Sequence, residues 1–121
     1  MSTIKDKNLA TIGQQEVGWA ARQMKVLEEI KTEFSSSKPL NGLNIGACMH
    51  VTKETANLML TLKAAGANVA LCASNPLSTK DSVAAYLSEN DIEVHAVHGV
   101  SNEDFFKHLN SVLDTKPDIT M

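Results

Sequence analysis

Four short apolar segments alternate with helix-patterned stretches from Leu43 to the end of the chain, and this alternation most limits the fold. The apolar segments are Leu43–Cys48, Ala67–Ala73, Ile92–Val97 and Asp118–Met121. Between them lie Thr52–Ala65, a helix opened by Ser78-Thr79-Lys80-Asp81 and running to Glu89, and a helix opened by Ser101-Asn102-Glu103-Asp104. Strand and helix in strict turn predict an α/β parallel sheet with right-handed crossovers and helices on both faces.

Local signals mark the boundaries. Gly66 stands where a helix needs a left-handed residue to stop. Pro76 blocks both helix and ladder. Ser78 to Asp81 resembles a capping box with Asp in place of Glu. Asn90 is expected to take the left-handed C-cap, and Pro117 ends the last helix. Its apolar positions are Phe105, Phe106, Leu109, Val112 and Leu113. Ahead of the repeats, Val17, Ala20, Ala21, Met24, Leu27, Ile30 and Phe34 form one helical stripe, predicting an N-terminal helix over Gln14–Phe34. Trp19 lies off that stripe. The break at Ser35–Pro39 divides residues 1–38, a helical segment, from residues 39–121, the β/α repeats.

A chain of 121 residues suits one domain. Its net charge is −3 and its basic residues do not cluster, which disfavours a nucleic-acid partner. The longest uncharged apolar stretch, Leu43–Val51, is far short of the ~20 residues a membrane span needs. The N-terminus lacks an apolar stretch after its lysines, so no secretory signal is expected and the expected compartment is the cytoplasm. Cys48 and Cys72 lie in apolar runs and read as reduced, buried thiols. A disulfide between neighbouring strands is the alternative, in an oxidising compartment. His95 and His98 point to opposite faces of a strand, so no metal site is expected. His108 reads as a solvated helix residue.

In such sheets ligands bind beyond the carboxyl ends of the strands. His50, just past the first strand, Thr52 as helix cap, and Glu54 in the first turn form one candidate wall. A loop histidine beside an ordinary cap is the alternative. Imidazole exchanges a proton near neutral pH without special tuning. Asn75, Ser78 and Thr79 form the second candidate wall, or simply a capped loop. Neither a P-loop nor a Gly-x-Gly-x-x-Gly fingerprint is present. Because the fourth apolar segment ends at Met121, with no site loop after it, a fragment is expected.

Two long stretches, Asn41–Ala56 around Cys48-Met49-His50-Val51-Thr52-Lys53-Glu54, and Ser74–Ala85 around Asn75-Pro76-Leu77-Ser78-Thr79, resemble the adenosylhomocysteinase (S-adenosyl-L-homocysteine hydrolase) family. Gly18–Met24 and Leu113–Met121 are similar to it as well, and the likeness is strongest to archaeal and bacterial forms. The resemblance implies a Rossmann-like (flavodoxin-like) fold and the N-terminal part of a substrate-binding domain, with the NAD-binding domain absent. It implies a parent enzyme of the methyl cycle, a homotetramer, that reversibly converts S-adenosylhomocysteine to adenosine and homocysteine. There NAD oxidises the ribose 3′ hydroxyl, homocysteine leaves the 5′ carbon and water adds. Carried over by position, the resemblance implies that His50 is a candidate proton carrier near the 5′ carbon. It implies that Thr52 and Glu54 contact adenosine, Glu54 at the adenine amino edge, and that Asn75, Ser78 and Thr79 help wall the cleft. Lys80 replaces a common Gln and Lys25 a common Pro, both read as peripheral. The resemblance implies that this chain alone is inactive. The alternatives are a hydrolase of S-inosylhomocysteine and a free-standing flavodoxin-like binding module.

Overall fold

A computed structural model describes every residue from Met1 to Met121. Its elements are α1 (Ala10–Ala21), α2 (Lys25–Ser37), β1 (Asn44–Cys48), α3 (Lys53–Ala64), β2 (Asn68–Cys72), α4 (Asp81–Glu89), β3 (Glu93–His95), α5 (Asn102–Asp114) and β4 (Ile119–Thr120), with a 3-10 turn at Lys7–Leu9. The strands pair in parallel in the order β3-β2-β1-β4. The α/β architecture is therefore the one the alternation predicts.

Side-chain alternation along the strands divides the core in two. Ile45, Ala47, Val69, Leu71 and Val94 pack with Val17 of α1, Ala56 and Met59 of α3, and Val83 and Leu87 of α4. On the opposite face Ala70 and Cys72 meet Val112 of α5, with Leu109 beside them. Gly46 also belongs to that face, where a Cβ would lie 3.1 Å from the side chains of Pro117 and Val112. Gly66 ends α3 at φ +101, as its position predicts. No helix is long and apolar enough to cross a membrane.

The structure departs from the sequence reading at several points. The N-terminal helix is two helices, because Met24 takes φ −114 and ψ 58 between α1 and α2. The 3.6-residue stripe continues through the break, since periodicity records which side is apolar and not the direction of the axis. α1 buries Ala10, Gly13, Val17 and Ala20, whereas α2 buries no residue fully. At α4 the capping box does not form. Lys80 is the N-cap and makes no side-chain cap bond. The preceding residues pair instead, Thr79 forming a parallel bridge with Val51. Asn90 adopts φ −100, and Asp91, at φ 59, takes the left-handed turn.

Two burial expectations fail as well. Cys48 is exposed and only Cys72 is buried, and the two are not bridged. Cys48 is the last residue of β1, and its Sγ donates to the Ala73 carbonyl at 3.5 Å. His108 is buried at 9% exposure, because the inward line of α5 runs through His108 and Val112, four residues apart. Phe106 and Leu113 consequently face outward, at 59% and 49% exposure. One pairing was absent from the sequence reading. Thr3 bridges to His95 at the sheet edge, its N–H donating to Val94 O at 2.8 Å and its carbonyl accepting from Ala96 N at 3.0 Å.

Candidate functional site at the carboxyl ends of β1 and β2

β1 does not stop abruptly. Met49 N donates to Cys72 O at 3.0 Å, carrying the ladder one residue past the strand. His50 follows, then Val51, whose N–H donates to Ser78 O at 2.8 Å while its carbonyl accepts from Lys80 N at 2.9 Å. The loop after β1 is thus bonded to the loop after β2. Thr52 has extended backbone, and its Oγ1 accepts from Thr55 N at 3.3 Å, capping α3 as its sequence position predicts. Glu54 lies in the first turn of α3, where the helix dipole favours a carboxylate. It is exposed and 3.8 Å from Lys53.

The register aligns Cys48 with Cys72. Two residues on, the same alignment sets His50 beside Ser74, with 2.8 Å between His50 Nδ1 and Ser74 Oγ. Ser74 Oγ lies 3.2 Å from Ser78 Oγ. Ser78 Oγ in turn accepts from Asn75 N at 3.2 Å and donates to Asn75 O at 3.1 Å. Asn75 Oδ1 accepts from Leu77 N at 2.9 Å, closing the turn before the helix. His50, Asn75 and Ser78 therefore stand at one end of the sheet, tied together through Ser74.

Thr79 differs from the other candidates. It is 7% exposed, its Oγ1 has no hydrogen-bond partner, and it is held in the bridge to Val51. Ser74, which opens the loop expected to form the second wall but is not among its named candidates, is the residue that touches His50. Serines are common in loops, so composition alone does not single it out. The signal is the register, which becomes visible only once β1 and β2 are aligned.

Next to this network an open groove of about 630 Å³ runs between the start of α2 and α3. Met24, Leu27, Ile30, Met49 and Leu58 make it apolar, and Glu54 is its only carboxylate. Lys25 also lines it. Lys80, the other departure, reaches Glu16 of α1 at 3.7 Å. No three His, Cys, Asp or Glu side chains converge anywhere in the chain. Both ring nitrogens of His95 are engaged elsewhere, by Glu93 at 2.8 Å and Thr3 at 3.1 Å.

The whole chain, residues 1–121, matches the family model described as S-adenosyl-L-homocysteine hydrolase. It is similar to the adenosylhomocysteinase of Aquifex aeolicus (strain VF5), with 50% identity over 119 residues, 98% of this chain and 28% of the relative. The adenosylhomocysteinase of Sulfolobus acidocaldarius is 47% identical over 118 residues, 98% of this chain and 28% of that protein. That of Thermosynechococcus vestitus is 49% identical over 117 residues, 96% of this chain and 27% of that protein. The chain thus spans little more than a quarter of the length of these curated relatives. Since the family match runs from the first residue to the last, through both loops that meet at His50, the chain belongs to the S-adenosyl-L-homocysteine hydrolase family.

Proposed function

We propose that this chain forms the nucleoside-side wall of an adenosylhomocysteinase, the N-terminal part of its substrate-binding domain. The reaction is the reversible cleavage of the thioether of S-adenosylhomocysteine to adenosine and homocysteine. The observation that carries the reading is the hydrogen-bonded placement of His50 against Ser74, beside the Thr52 cap and the first turn holding Glu54.

Each role follows from the chemistry of the side chain. A thioether is a poor leaving group until its sulfur receives a proton, and imidazole can deliver one near neutral pH. His50 is the group at the strand end able to do so. The groove beside it offers apolar side chains for a purine face and one carboxylate for an amino group. An ionised Glu54 can accept but not donate, so it suits the amino edge of adenine. Thr52 orients this end of α3, and Asn75 and Ser78 shape the opposite loop.

NAD, the cofactor of the family resemblance, does not fit the residues present here. β1 passes into α3 through Met49-His50-Val51-Thr52 with no glycine to let a pyrophosphate approach. Gly46 is occupied by packing against Pro117 and Val112. On this reading the cofactor, and the remaining substrate contacts, belong to sequence that matches the rest of the relatives' length. The same reading puts the enzyme in the cytoplasm as a homotetramer.

The test uses a full-length enzyme carrying this sequence. His50→Ala should slow thiol release from S-adenosylhomocysteine by about 100- to 10,000-fold, the usual contribution of a positioned proton carrier. Adenosine affinity, measured by calorimetry, should change little. Thiol release at the unaltered rate would remove His50 from the mechanism and overturn the reading.

A further inference from the structure

We propose that Ser74 is a positioning residue that fixes the tautomer of His50, so that Nδ1 carries the proton and Nε2 is the atom that exchanges it. The inference deepens the functional reading above and rests on it.

The hydroxyl protons along the loop after β2 decide the tautomer. Each serine hydroxyl has one proton to donate and lone pairs to accept. Ser78 Oγ gives its proton to Asn75 O at 3.1 Å and accepts from Asn75 N at 3.2 Å. A carbonyl oxygen is a stronger acceptor than a hydroxyl and lies slightly nearer, so we keep that proton on Asn75 O and make Ser78 the acceptor across the 3.2 Å gap to Ser74. Ser74 is then the donor there. Ser74 Oγ therefore has only lone pairs to offer His50, 2.8 Å away. Nδ1 is consequently the donor, and in the neutral ring Nε2 is bare. The backbone of Asn75 sets the direction of the whole chain of bonds, because an amide N–H only donates and a carbonyl only accepts.

The assignment holds through a full proton cycle. In the protonated ring both nitrogens carry hydrogen, and Nδ1–H still donates to Ser74. When the carbon–sulfur bond breaks, its electron pair leaves with the sulfur, and Nε2–H passes a proton to that thiolate. The ring is then neutral, with Nδ1–H unchanged. When water adds, its proton goes to Nε2 and its oxygen to carbon. No hydroxyl of the wire has to turn at either step, so orientation costs nothing at the moment of transfer. A serine free to rotate would donate to Nδ1 in the neutral ring and would leave Nε2 protonated, unable to accept.

The experiment compares Ser74→Ala, Ser74→Thr and His50→Ala in a full-length enzyme carrying this sequence. Ser74→Ala should lower kcat for thiol release about tenfold, the scale of one neutral hydrogen bond, with KM unchanged. Ser74→Thr, which keeps the hydroxyl, should restore kcat. In enzyme labelled with ¹⁵N-histidine, the His50 Nε2 resonance should be that of a bare nitrogen in the parent and shift toward the protonated position in Ser74→Ala. Unchanged kcat and an unchanged ¹⁵N pattern in Ser74→Ala, with His50→Ala impaired, would overturn this inference and leave the functional reading intact. An unimpaired His50→Ala enzyme would overturn both.

Discussion

Cys48 and Cys72 face each other in the register of β1 and β2, yet only Cys48 reaches solvent. Burial, and then the neighbouring Cys48 sulfur, push the Cys72 thiol up to about 12. The thiolate is the reactive form, so the two residues should separate sharply. A thiol reagent at mildly alkaline pH should modify one thiol per chain at once and the second only after denaturant. Mass mapping should place the fast label on Cys48. The same shift sets a direction for stability. The folded state holds its proton more tightly than the unfolded state, so the stabilisation present below about pH 9 should be lost as pH rises toward 12. Equal labelling of both cysteines in the native state would show that β2 is not covered by α5.

His108 predicts an opposite, acidic limb. Burial and then the nearby His95 ring, 6.5 Å away, lower its affinity for a proton, while Asp104 acts the other way. The folded pKa is depressed, so stability present above the unfolded value of about 6.5 should decline as pH falls through the folded value. His95 faces Glu93 and Thr3, and the Glu93 carboxyl lies near the N-terminal ammonium. Burial alone would raise that carboxyl, but the His95 hydrogen bond and the ammonium hold it below its usual value. Glu93 therefore stays ionised and retains this cluster over the range in which His108 titrates. Denaturant midpoints between pH 7 and pH 5 should fall for the parent and fall less for His108→Gln. An identical decline in both would place the acid sensitivity elsewhere.

What the sequence allowed to be read, and what it did not, follows from the range of each signal. Thr52, Ser101 and Gly66 act within one turn of their own helix, and all three do what their positions predict. The strand-helix alternation is likewise local, and it carried the topology. His50, Thr52 and Glu54 are legible as candidates because a strand end and a cap are visible in one short window. Contacts set by tertiary pairing were missed. Thr79 was read as part of a capping box and is instead buried in a bridge to Val51. Ser74 is brought against the candidate His50 only by the β1–β2 register. His108 sits four residues before Val112, but a histidine on a helix face does not announce what lies opposite. The break at Met24 is invisible to a stripe that continues through it.

The packing of α1 against α4 gives a third prediction, because Gly13 has no room for a side chain. A Cβ there would overlap the Ser82 carbonyl oxygen, a backbone atom that cannot swing aside. Gly18, in the same helix, has nothing within 4 Å. Alanine favours a helix by about 0.5–1 kcal/mol over glycine at either position. At Gly18 that preference acts alone, so Gly18→Ala should raise stability by about this amount. At Gly13 the clash should dominate, with a net loss of roughly 1–3 kcal/mol, typical of overpacking. Chemical denaturation of the two variants checks the sign of each. Stabilisation by Gly13→Ala would mean that α1 and α4 do not approach this closely.

Glu54 carries the last prediction, which concerns the choice of purine. Adenine presents an amino donor at position 6, whereas hypoxanthine presents a keto acceptor there. An ionised carboxylate accepts and never donates, so Glu54 matches the first and opposes the second. Its pairing with Lys53 does not neutralise this preference, because the 3.8 Å pair is solvent-exposed and such pairs are weak. Glu54→Gln keeps the shape and adds an amide donor that can reach a keto oxygen. In a full-length enzyme, the ratio of kcat/KM for S-adenosylhomocysteine over S-inosylhomocysteine should fall about 10- to 100-fold. That is the scale expected when one matched hydrogen bond is weakened and one mismatch is relieved. Most of the change should come from better use of the inosine substrate, since the amide oxygen still accepts from the adenine amino group while its N–H now meets the keto oxygen. If the ratio stays constant while both substrates slow together, Glu54 supports the fold of this groove and does not read the base.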